Sequence, residues 1–316
     1  MDIETSHKPI RPPPNRIKAV VYVLISWIFF TSVIALSRTA TARTSVPTVL
    51  FFQNLVSMII ILPWMIKNGG RSLYLSKIGV IVLRALAGYI CYAFIFLAVQ
   101  RIPLVNIVLL SNSAPLFIPI VIWLWKRVKI RAGLWVGISI GFVGIAVILR
   151  PGAHLINVGA LFGVGAAICM AISMIAQRRL VKSEPLYTIL FYYFLISTIL
   201  SIPFIIEKWT PLDASTLFIL LTIGVLFVIG QLFFITAFKY EKPSFLGSFN
   251  YSAVVYGALI EWLFWDHFPS LLTIVGILIV CTGGIITILQ GNGRGFTSMP
   301  KGPEPKPPEK DQSSNQ

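Results

Sequence analysis

Ten apolar stretches run through the sequence, each close to the length of about 20 residues that a helix needs to cross a bilayer. They cover about residues 17–37, 47–66, 78–99, 104–125, 132–149, 157–177, 186–206, 214–238, 245–265 and 270–289. The links between them leave little room for a soluble domain. The chain is therefore predicted to be an all-α integral membrane protein with ten transmembrane helices, called segments 1 to 10 below.

The balance of apolar and charged residues excludes a water-soluble alternative. Hydrophobic residues make up 56% of the chain and charged residues 12%, whereas a soluble globular protein carries roughly 25% charged residues. No core can hide so many apolar side chains. An ordinary cytosolic enzyme is therefore excluded, and so is a disordered chain.

Cysteine and histidine residues form no pattern that suggests a disulfide framework or a metal centre. The cysteines lie inside apolar stretches and the histidines are scattered. These residues are Cys91, Cys169, Cys281, His7, His154 and His267. No cofactor is expected.

The net charge of +15 is explained by membrane topology. If the N-terminus is cytoplasmic and all ten segments span, 20 of the 26 lysine and arginine residues lie in cytoplasmic parts, and one, Arg84, lies inside segment 3. The five in outside loops are Arg38, Arg43, Arg101, Arg150 and Lys208. This is the positive-inside pattern. The charge therefore predicts two cytoplasmic termini rather than a nucleic-acid partner.

Two polar tails flank the segments, residues 1–16 and 291–316. Their composition predicts disorder, and the topology makes them cytoplasmic. The apolar core of segment 1 is about 20 residues long, which exceeds the roughly 7–15 residues of a signal-peptide core. Segment 1 is therefore predicted to be a helix of the mature protein.

The two halves of the chain resemble each other. When residues 94–152 are laid over residues 233–291, 12 of 59 positions are identical. The chain then divides into repeat 1, residues 17–150 with five helices, and repeat 2, residues 151–290 with five more. Because five is odd, the second repeat enters the membrane from the opposite side. Inverted repeats of this kind are typical of alternating access, with substrate held near the midplane between the halves.

Small-residue stripes on segments 5 and 10 allow close helix approach. They consist of Gly133, Gly137, Gly141 and Gly144 on segment 5, and Gly276 and Gly283 on segment 10. Internal packing is the favoured interpretation and a dimer face is the alternative. The chain is accordingly expected to be a monomer, with a homodimer possible.

Several runs of residues carry a resemblance to a known family. These are Leu83–Gly88 in segment 3, Ser111–Phe117 in segment 4, Phe249–Ala253 and Glu261–Asp266 in segment 9, and the glycine-rich Ile274–Leu289 in segment 10. With the five-plus-five layout, the chain resembles the EamA family of the drug/metabolite transporter superfamily over about residues 17–290. Members usually have a glycine-glutamate pair after helix four, where this chain reads Trp125–Lys129.

The resemblance implies a secondary transporter of small metabolites in a bacterial inner membrane. The segment-9 stretch is similar to proteins of intracellular bacteria that import S-adenosylmethionine. S-adenosylmethionine or a similar metabolite derived from an amino acid or nucleoside is therefore the first substrate hypothesis. A drug or amino-acid exporter of the same fold is the alternative.

Two ionisable residues lie inside segments, where a charge costs at least ~2.5–3.5 kcal/mol at the bilayer centre. Arg84 lies toward the cytoplasmic end of segment 3, with Gly88 one turn above it leaving room for a ligand. Glu261 lies near the outer end of segment 9, on the helix face that holds Asn250 and Gly257. Their depths differ by on the order of 15 Å, so no direct ion pair is expected.

Each of the two charges has a functional and a structural interpretation. Arg84 binds substrate, or it extends toward headgroups or caps buried carbonyls. Glu261 binds a cationic substrate or carries a proton, or it is a carboxylate of the outer interface.

Uncharged polar and aromatic residues complete the predicted substrate site. The amide and hydroxyl residues are Gln53, Asn54, Asn112, Ser113, Gln231 and Asn250, for which interhelical hydrogen bonds are the alternative. The aromatic residues are Trp27, Tyr92, Tyr193, Tyr251 and Tyr256, which can stack on a ring or a cation, or merely pack.

The predicted partners are a small-molecule substrate and the lipid bilayer. No phosphate-binding loop of the G-x-x-x-x-G-K-[ST] form is present, which leaves coupling to protons, to exchange or to nothing. No catalytic motif supports an intramembrane enzyme. A lipid flippase or a non-transporting membrane scaffold is the alternative of another class.

Overall fold

The computed structural model describes residues 15–67, 77–126, 132–149, 158–207, 209, 211–240 and 246–292, and every regular element within them is a helix. The α-helices are α1 (Arg16–Thr41), α2 (Val46–Lys67), α3 (Ile78–Ala98), α4 (Leu104–Ser111), α5 (Ala114–Lys126), α6 (Ala132–Leu149), α7 (Val158–Leu180), α8 (Leu186–Glu207), α9 (Ala214–Tyr240), α10 (Ser252–Trp265) and α11 (Leu271–Asn292). A 3-10 helix, Gly247–Tyr251, precedes α10. The predicted tails, apart from residues 15, 16, 291 and 292, lie outside the described residues.

Seven helical stretches of the described chain are long and apolar enough to cross a membrane, with α4 and α5 together counted as Leu104–Trp125. Two further helices are apolar over a shorter length, Leu134–Val147 in α6 and Leu271–Thr287 in α11. Large apolar side chains point outward, such as Leu263, which is 75% exposed, and such a surface suits lipid rather than water. The all-α membrane class is confirmed, whereas the number of ten spans stays a prediction.

Helix termini follow ordinary capping chemistry. The Asn15 side chain accepts a hydrogen bond from the Lys18 backbone N–H at 3.0 Å and caps α1. Asp213 caps α9 in the same way, since its carboxylate accepts bonds from the hydroxyl and the backbone N–H of Thr216. The hydroxyl bond is the main reason that the pKa of Asp213 lies below its usual value.

Segment 4 is interrupted just before Pro115, whereas Pro119 lies inside α5. Pro115 has no N–H to donate to the preceding turn, and the chain breaks between α4 and α5 at Asn112 and Ser113. The Asn112 amide donates to the Val108 carbonyl at 2.8 Å, and the Ser113 hydroxyl donates to the Leu110 carbonyl at 2.5 Å. These side chains donate hydrogen bonds to backbone carbonyl groups beside the break, so their polar groups are used within their own helix.

Segment 9 changes its geometry at the matching place. Its 3-10 helix passes into α10 at Ser252, whose hydroxyl donates to the Phe249 carbonyl at 2.7 Å. In the internal alignment Ser252 is the counterpart of Ser113. Both segments therefore depart from regular α-helix at equivalent positions, and at each one a serine hydroxyl donates to a backbone carbonyl.

The glycines of segments 5 and 10 let α6 and α11 pack backbone against backbone. A Cβ atom on Gly283 would lie 2.3 Å from the Gly141 nitrogen and 2.7 Å from the Gly137 carbonyl oxygen. A Cβ on Gly144 would lie 2.7 Å from the Val280 nitrogen. These glycines are engaged within the chain, as the internal-packing interpretation predicts.

The main packing pairs leave a core between the first five and the last five segments. Helix α1 packs along α9, α3 along α7, α2 along α8, and α6 along α11. Smaller contacts join α4 to α7 and α1 to α10. Most of the buried aromatic residues lie where α1, α3, α8 and α9 meet, and the candidate polar site lies there too.

Candidate functional site

A small cavity, here called the central cavity, lies between α1, α3, α7, α8 and α9 and has a volume of about 30 Å³. It is lined by Trp27, Phe30, Arg84, Gly88, Cys91, Tyr92, Met170, Ser173, Met174, Gln177, Tyr193, Gln231 and Phe234. Six of these, Trp27, Arg84, Gly88, Tyr92, Tyr193 and Gln231, belong to the site predicted from sequence. Helices α1 and α3 come from the first half of the chain and α7, α8 and α9 from the second, so the cavity lies between the halves.

Arg84 lies at the polar end of the cavity. The residue is 3% exposed, so its side chain does not extend to the headgroups. Its Nη2 and Nε atoms donate to the Oε1 atom of Gln177 at 2.9 and 3.3 Å, and its Cζ lies 4.5 Å from the centre of the Tyr193 ring. The Nη1 atom has no hydrogen-bond partner among the described residues. The guanidinium is therefore held by an amide and a ring, with one donor group free.

Gly88 permits this arrangement by letting an aromatic ring approach α3. A Cβ atom at Gly88 would lie 2.7 Å from Cε2 of Tyr193. The space above Arg84 is thus occupied by the Tyr193 ring, which corrects the expectation that Gly88 leaves room for a ligand. The glycine lets α3 and the ring of α8 approach closely and positions that ring over the guanidinium.

Aromatic side chains form part of the remaining wall. The Trp27 Nε1 donates to the Oδ1 atom of Asn250 at 3.1 Å, which fixes the indole plane. Trp27 meets Phe234 edge to face at 5.9 Å, and Tyr92 meets Phe227 in the same manner at 4.8 Å. Asn250 therefore orients the Trp27 ring, although it does not itself line the cavity.

Three polar atoms of the cavity-lining residues have no hydrogen-bond partner within the described chain: Arg84 Nη1, Gln177 Nε2 and Gln231 Oε1. Buried polar groups are almost always paired, so these three atoms make the cavity a candidate binding site. Its 30 Å³ is far below the roughly 300–1,000 Å³ of small-molecule sites. The cavity is thus too small for a metabolite in this arrangement of the helices.

The other predicted site residues lie away from the lining. The Asn54 amide donates to the Leu50 carbonyl at 2.8 Å in its own helix. Gln53 is fully buried, and neither of its side-chain polar atoms has a partner in the described chain. Tyr251 packs against Gly284, and Tyr256 is half-buried. Asn112 and Ser113 donate to backbone carbonyls at the break between α4 and α5.

Glu261 lies at a different place from Arg84 and binds the start of a helix. Its Oε1 and Oε2 atoms accept hydrogen bonds from the backbone N–H groups of Leu104 and Val105, each at 3.0 Å. These residues are the first two of α4, and an anion is favoured at a helix N-terminus. Arg38 Nη1 lies 3.5 Å from Oε1, and its Cζ lies 4.9 Å from the Trp265 ring centre. The carboxylate therefore ties α10 to α4 and α1.

A wider and more open depression lies at the loop ends of α1 and α3. It has a volume of about 380 Å³ and is lined by Arg38, Thr41, Ala42, Val99 and Gln100. The Gln100 amide donates to the Thr41 carbonyl at 3.2 Å, and Arg38 is one-third exposed. The central cavity is the better candidate because its charged group is buried and has a free donor.

Sequence reasoning missed the α7 side of the site. Gln177 and Ser173 were not predicted, and both touch Arg84: the Ser173 hydroxyl donates to the Arg84 carbonyl at 3.4 Å. The available signal was spacing, because Met170, Ser173 and Gln177 repeat at three and four residues and so share one helix face.

Comparison with known proteins places these features in context. The sequence model of the EamA-like transporter family matches residues 17–150 and again residues 157–289. The pseudopaline exporter CntI of Pseudomonas aeruginosa is 27% identical over 266 residues, covering 83% of this chain and 93% of that protein. An S-adenosylmethionine uptake transporter of Rickettsia bellii is 28% identical, covering 76% and 82%. A riboflavin transporter of Vibrio cholerae is 25% identical, covering 80% and 87%.

The fold is also found among solved structures. One chain, described as a crystal structure of a protein, superimposes with a TM-score of 0.62 and covers 87% of this chain and 98% of its own length. Its sequence identity is 16%, so the likeness concerns the fold alone.

Proposed function

The chain belongs to the EamA-like transporter family, and from that premise we propose that it is a secondary carrier that moves a metabolite by alternating access through the central cavity. The family resemblance predicted from sequence is confirmed. The chain is a small-molecule transporter and not an enzyme, in keeping with the names of its relatives. It is a multi-pass protein of a bacterial inner membrane.

The position of Arg84 is the main support for the proposed function. A buried cation is costly inside a membrane protein and is a functional hypothesis by default. This one lies in a closed cavity bounded by helices of both halves, with a donor left free. Alternating access requires a substrate site of this kind, at the interface between two bodies that rock.

The packing of the helices supports the proposed inverted repeat. The proposed repeat pairs segment 1 with segment 6, segment 2 with segment 7, and so on to segments 5 and 10. Under this exchange the α1–α9 pair becomes the α7–α3 pair, and the α4–α7 contact becomes the α10–α1 contact. The α2–α8 and α6–α11 pairs map onto themselves. This is the pattern of a twofold axis, and the family match to two consecutive ranges agrees with it.

Two sets of polar contacts between the halves, here called ties, suggest how access alternates. The Arg84–Gln177 contact joins α3 to α7, about 9 Å from the start of α3, at the end predicted to be cytoplasmic. The Glu261 contacts join α10 to α1 and α4 at the opposite end. We propose that opening toward one side breaks one tie while the other holds, with both termini in the cytoplasm.

The relatives and the aromatic walls guide the substrate proposal. Proteins similar to this chain are named for S-adenosylmethionine, riboflavin and pseudopaline. The rings of Trp27, Tyr92 and Tyr193 offer flat surfaces on which a heterocycle can stack. S-adenosylmethionine or a related metabolite derived from an amino acid or nucleoside is the first proposal, and an exporter of drugs or amino acids is the alternative.

The flippase alternative has less support because the cavity is sealed within the bundle. Trp27, Tyr92 and Tyr193 are 3%, 6% and 2% exposed, whereas a lipid substrate needs a site open to the bilayer. The glycines of α6 and α11 pack against each other within the chain, so we propose a monomer as the transporting unit.

The test is transport by the purified full chain in proteoliposomes, with labelled S-adenosylmethionine and labelled riboflavin as separate probes. We expect uptake of at least one of the two probes above the liposome leak, and an at least tenfold lower initial rate of that probe in Arg84→Gln. The matched control is Arg179→Gln, because Arg179 lies on Trp125 near the end of α7 and outside the cavity. Exchange against unlabelled probe and an imposed pH gradient distinguish the modes of coupling. Equal rates in Arg84→Gln and the control would overturn the proposed site.

A further inference from the structure

We infer that the transported molecule carries a carboxylate, which binds the free donors of Arg84 and Gln177 in the central cavity. The inference rests on the proposed function, because it concerns the substrate of the same site. The sequence alone allowed a cationic group of the substrate to bind at Glu261, whereas the structure favours a carboxylate group of the substrate at Arg84.

The charge of the cavity is the first argument. Among the thirteen lining residues of the described chain, Arg84 is the only charged one. Its guanidinium stays protonated, so the closed site carries one positive charge. The buried carboxylate of Glu261 is not in the lining and is already occupied by two backbone N–H groups and Arg38. A substrate that presents only a cationic group to Arg84 would be repelled here, and one without any anionic group would leave the buried charge without a counter-ion.

The orientation of the Gln177 amide is the second argument. Its Oε1 atom accepts both bonds from Arg84, which fixes the oxygen toward the guanidinium, because a reversed amide would set donors against donors. The amide Nε2 and the Arg84 Nη1 are consequently both left as free donors. Gln177 is 6% exposed and Arg84 is 3% exposed. Two buried donors without partners, one of them on a cation, are the groups that the oxygens of a carboxylate bind.

The rings determine the direction from which the anion approaches. Tyr193 covers one face of the guanidinium at 4.5 Å, so the in-plane N–H groups are the accessible ones, and these are the groups that bind carboxylates. The other lining residues include Trp27, Tyr92 and Met174, which suit an apolar or aromatic body. The substrate class is therefore a small carboxylate attached to a flat, largely apolar group.

The experiment compares near-isosteric probes on the full-length wild-type protein in detergent. Indole-3-acetate is the anion, indole-3-acetamide its neutral counterpart, and tryptamine the cation. Calorimetric titration is expected to give at least tenfold tighter binding for the acetate than for the amide, equivalent to about 1.4 kcal/mol. Tryptamine is expected to bind more weakly than either.

Variants then locate the discrimination between acid and amide. Arg84→Gln is expected to abolish the acid-to-amide ratio, and Arg84→Lys to reduce it, since an ammonium keeps the charge but lacks the planar fork. Gln177→Leu, which leaves the charge in place, is expected to lower the ratio at least threefold and keeps the test available if Arg84→Gln does not fold. Arg179→Gln is expected to preserve the wild-type ratio.

Each outcome decides between the two proposals. Equal binding of acid and amide, tighter binding of tryptamine, or no saturable binding of the acetate would overturn the carboxylate inference. Tight, Arg84-dependent binding of the acetate supports it. If the acetate binds but does not cross proteoliposome membranes, the carrier proposal fails and the anion site stands. If probes cross without preference for the acid, the carrier stands and the inference fails.

Discussion

Glu261 should matter for the stability of the fold more than for the choice of substrate. In Glu261→Gln the side chain keeps its size and one carbonyl oxygen, but the amide NH₂ group cannot accept a hydrogen bond. One of the two N–H groups at the start of α4 then loses its acceptor, and Arg38 loses its counter-charge. The perturbation is therefore confined to the tie between α10, α4 and α1.

The magnitude follows from these contacts. A hydrogen bond to a charged group contributes about 1.5–3 kcal/mol, and an unsatisfied buried donor costs about 1–3 kcal/mol. The interaction of the carboxylate with the α4 N-terminus adds about 0.3–1 kcal/mol. The Arg38 side chain is 34% exposed, so its ion pair contributes only about 0–1 kcal/mol. Because these terms overlap, we expect a net loss of about 2–4 kcal/mol.

Thermal unfolding of the purified protein in detergent measures this loss. At about 2 °C per kcal/mol for a chain of this size, the midpoint should fall by about 4–8 °C. The matched control is Asp266→Asn, an exposed neighbouring carboxylate at φ 52°, where asparagine is tolerated. Its midpoint should stay within about 1 °C of the wild type. A Glu261→Gln midpoint equal to that of Asp266→Asn would refute the reasoning.

Two further predictions concern helix packing and pH. Gly283→Ala adds a Cβ at 2.3 Å from backbone that cannot rotate away, and should cost about 1–3 kcal/mol. Gly79→Ala, which meets nothing within 4 Å, should not lower the melting temperature, so equal midpoints would contradict the packing argument. The pKa of Asp213 is lowered by its bond from Thr216, so this cap stabilises the fold above the unfolded pKa of about 3.9 and is lost as pH falls through the lower folded value. Melting temperatures of Asp213→Asn should therefore fall less steeply than those of the wild type below about pH 4, and parallel curves would contradict this.

The sequence predicted the local features well because local chemistry governs them. The apolar stretches became helices because a backbone in hydrocarbon must satisfy its own hydrogen bonds. Pro115 placed the break in segment 4, since the missing N–H acts within one turn. The inward position of Glu261 followed from the face it shares with Gly257, and both are buried.

The assembly of the site could not be predicted, because its contacts join distant parts of the chain. Arg84 and Gln177 are 93 residues apart in sequence, and Leu104 and Glu261 are 157 apart. No periodicity in one segment specifies which face of another segment it will meet. For the same reason Gly88 was predicted to leave space, although that space holds the Tyr193 ring.

The sequence by itself thus determined a helical membrane protein, its predicted orientation and the two buried charges that require an explanation. Tertiary packing alone decided what each charge does. Arg84 keeps a free donor because its neighbours across the halves are a glutamine and a tyrosine rather than a carboxylate. Glu261 is occupied because the start of α4 meets it. The physical reason is that desolvation makes each buried charge depend on the partners that the helices bring within hydrogen-bonding distance.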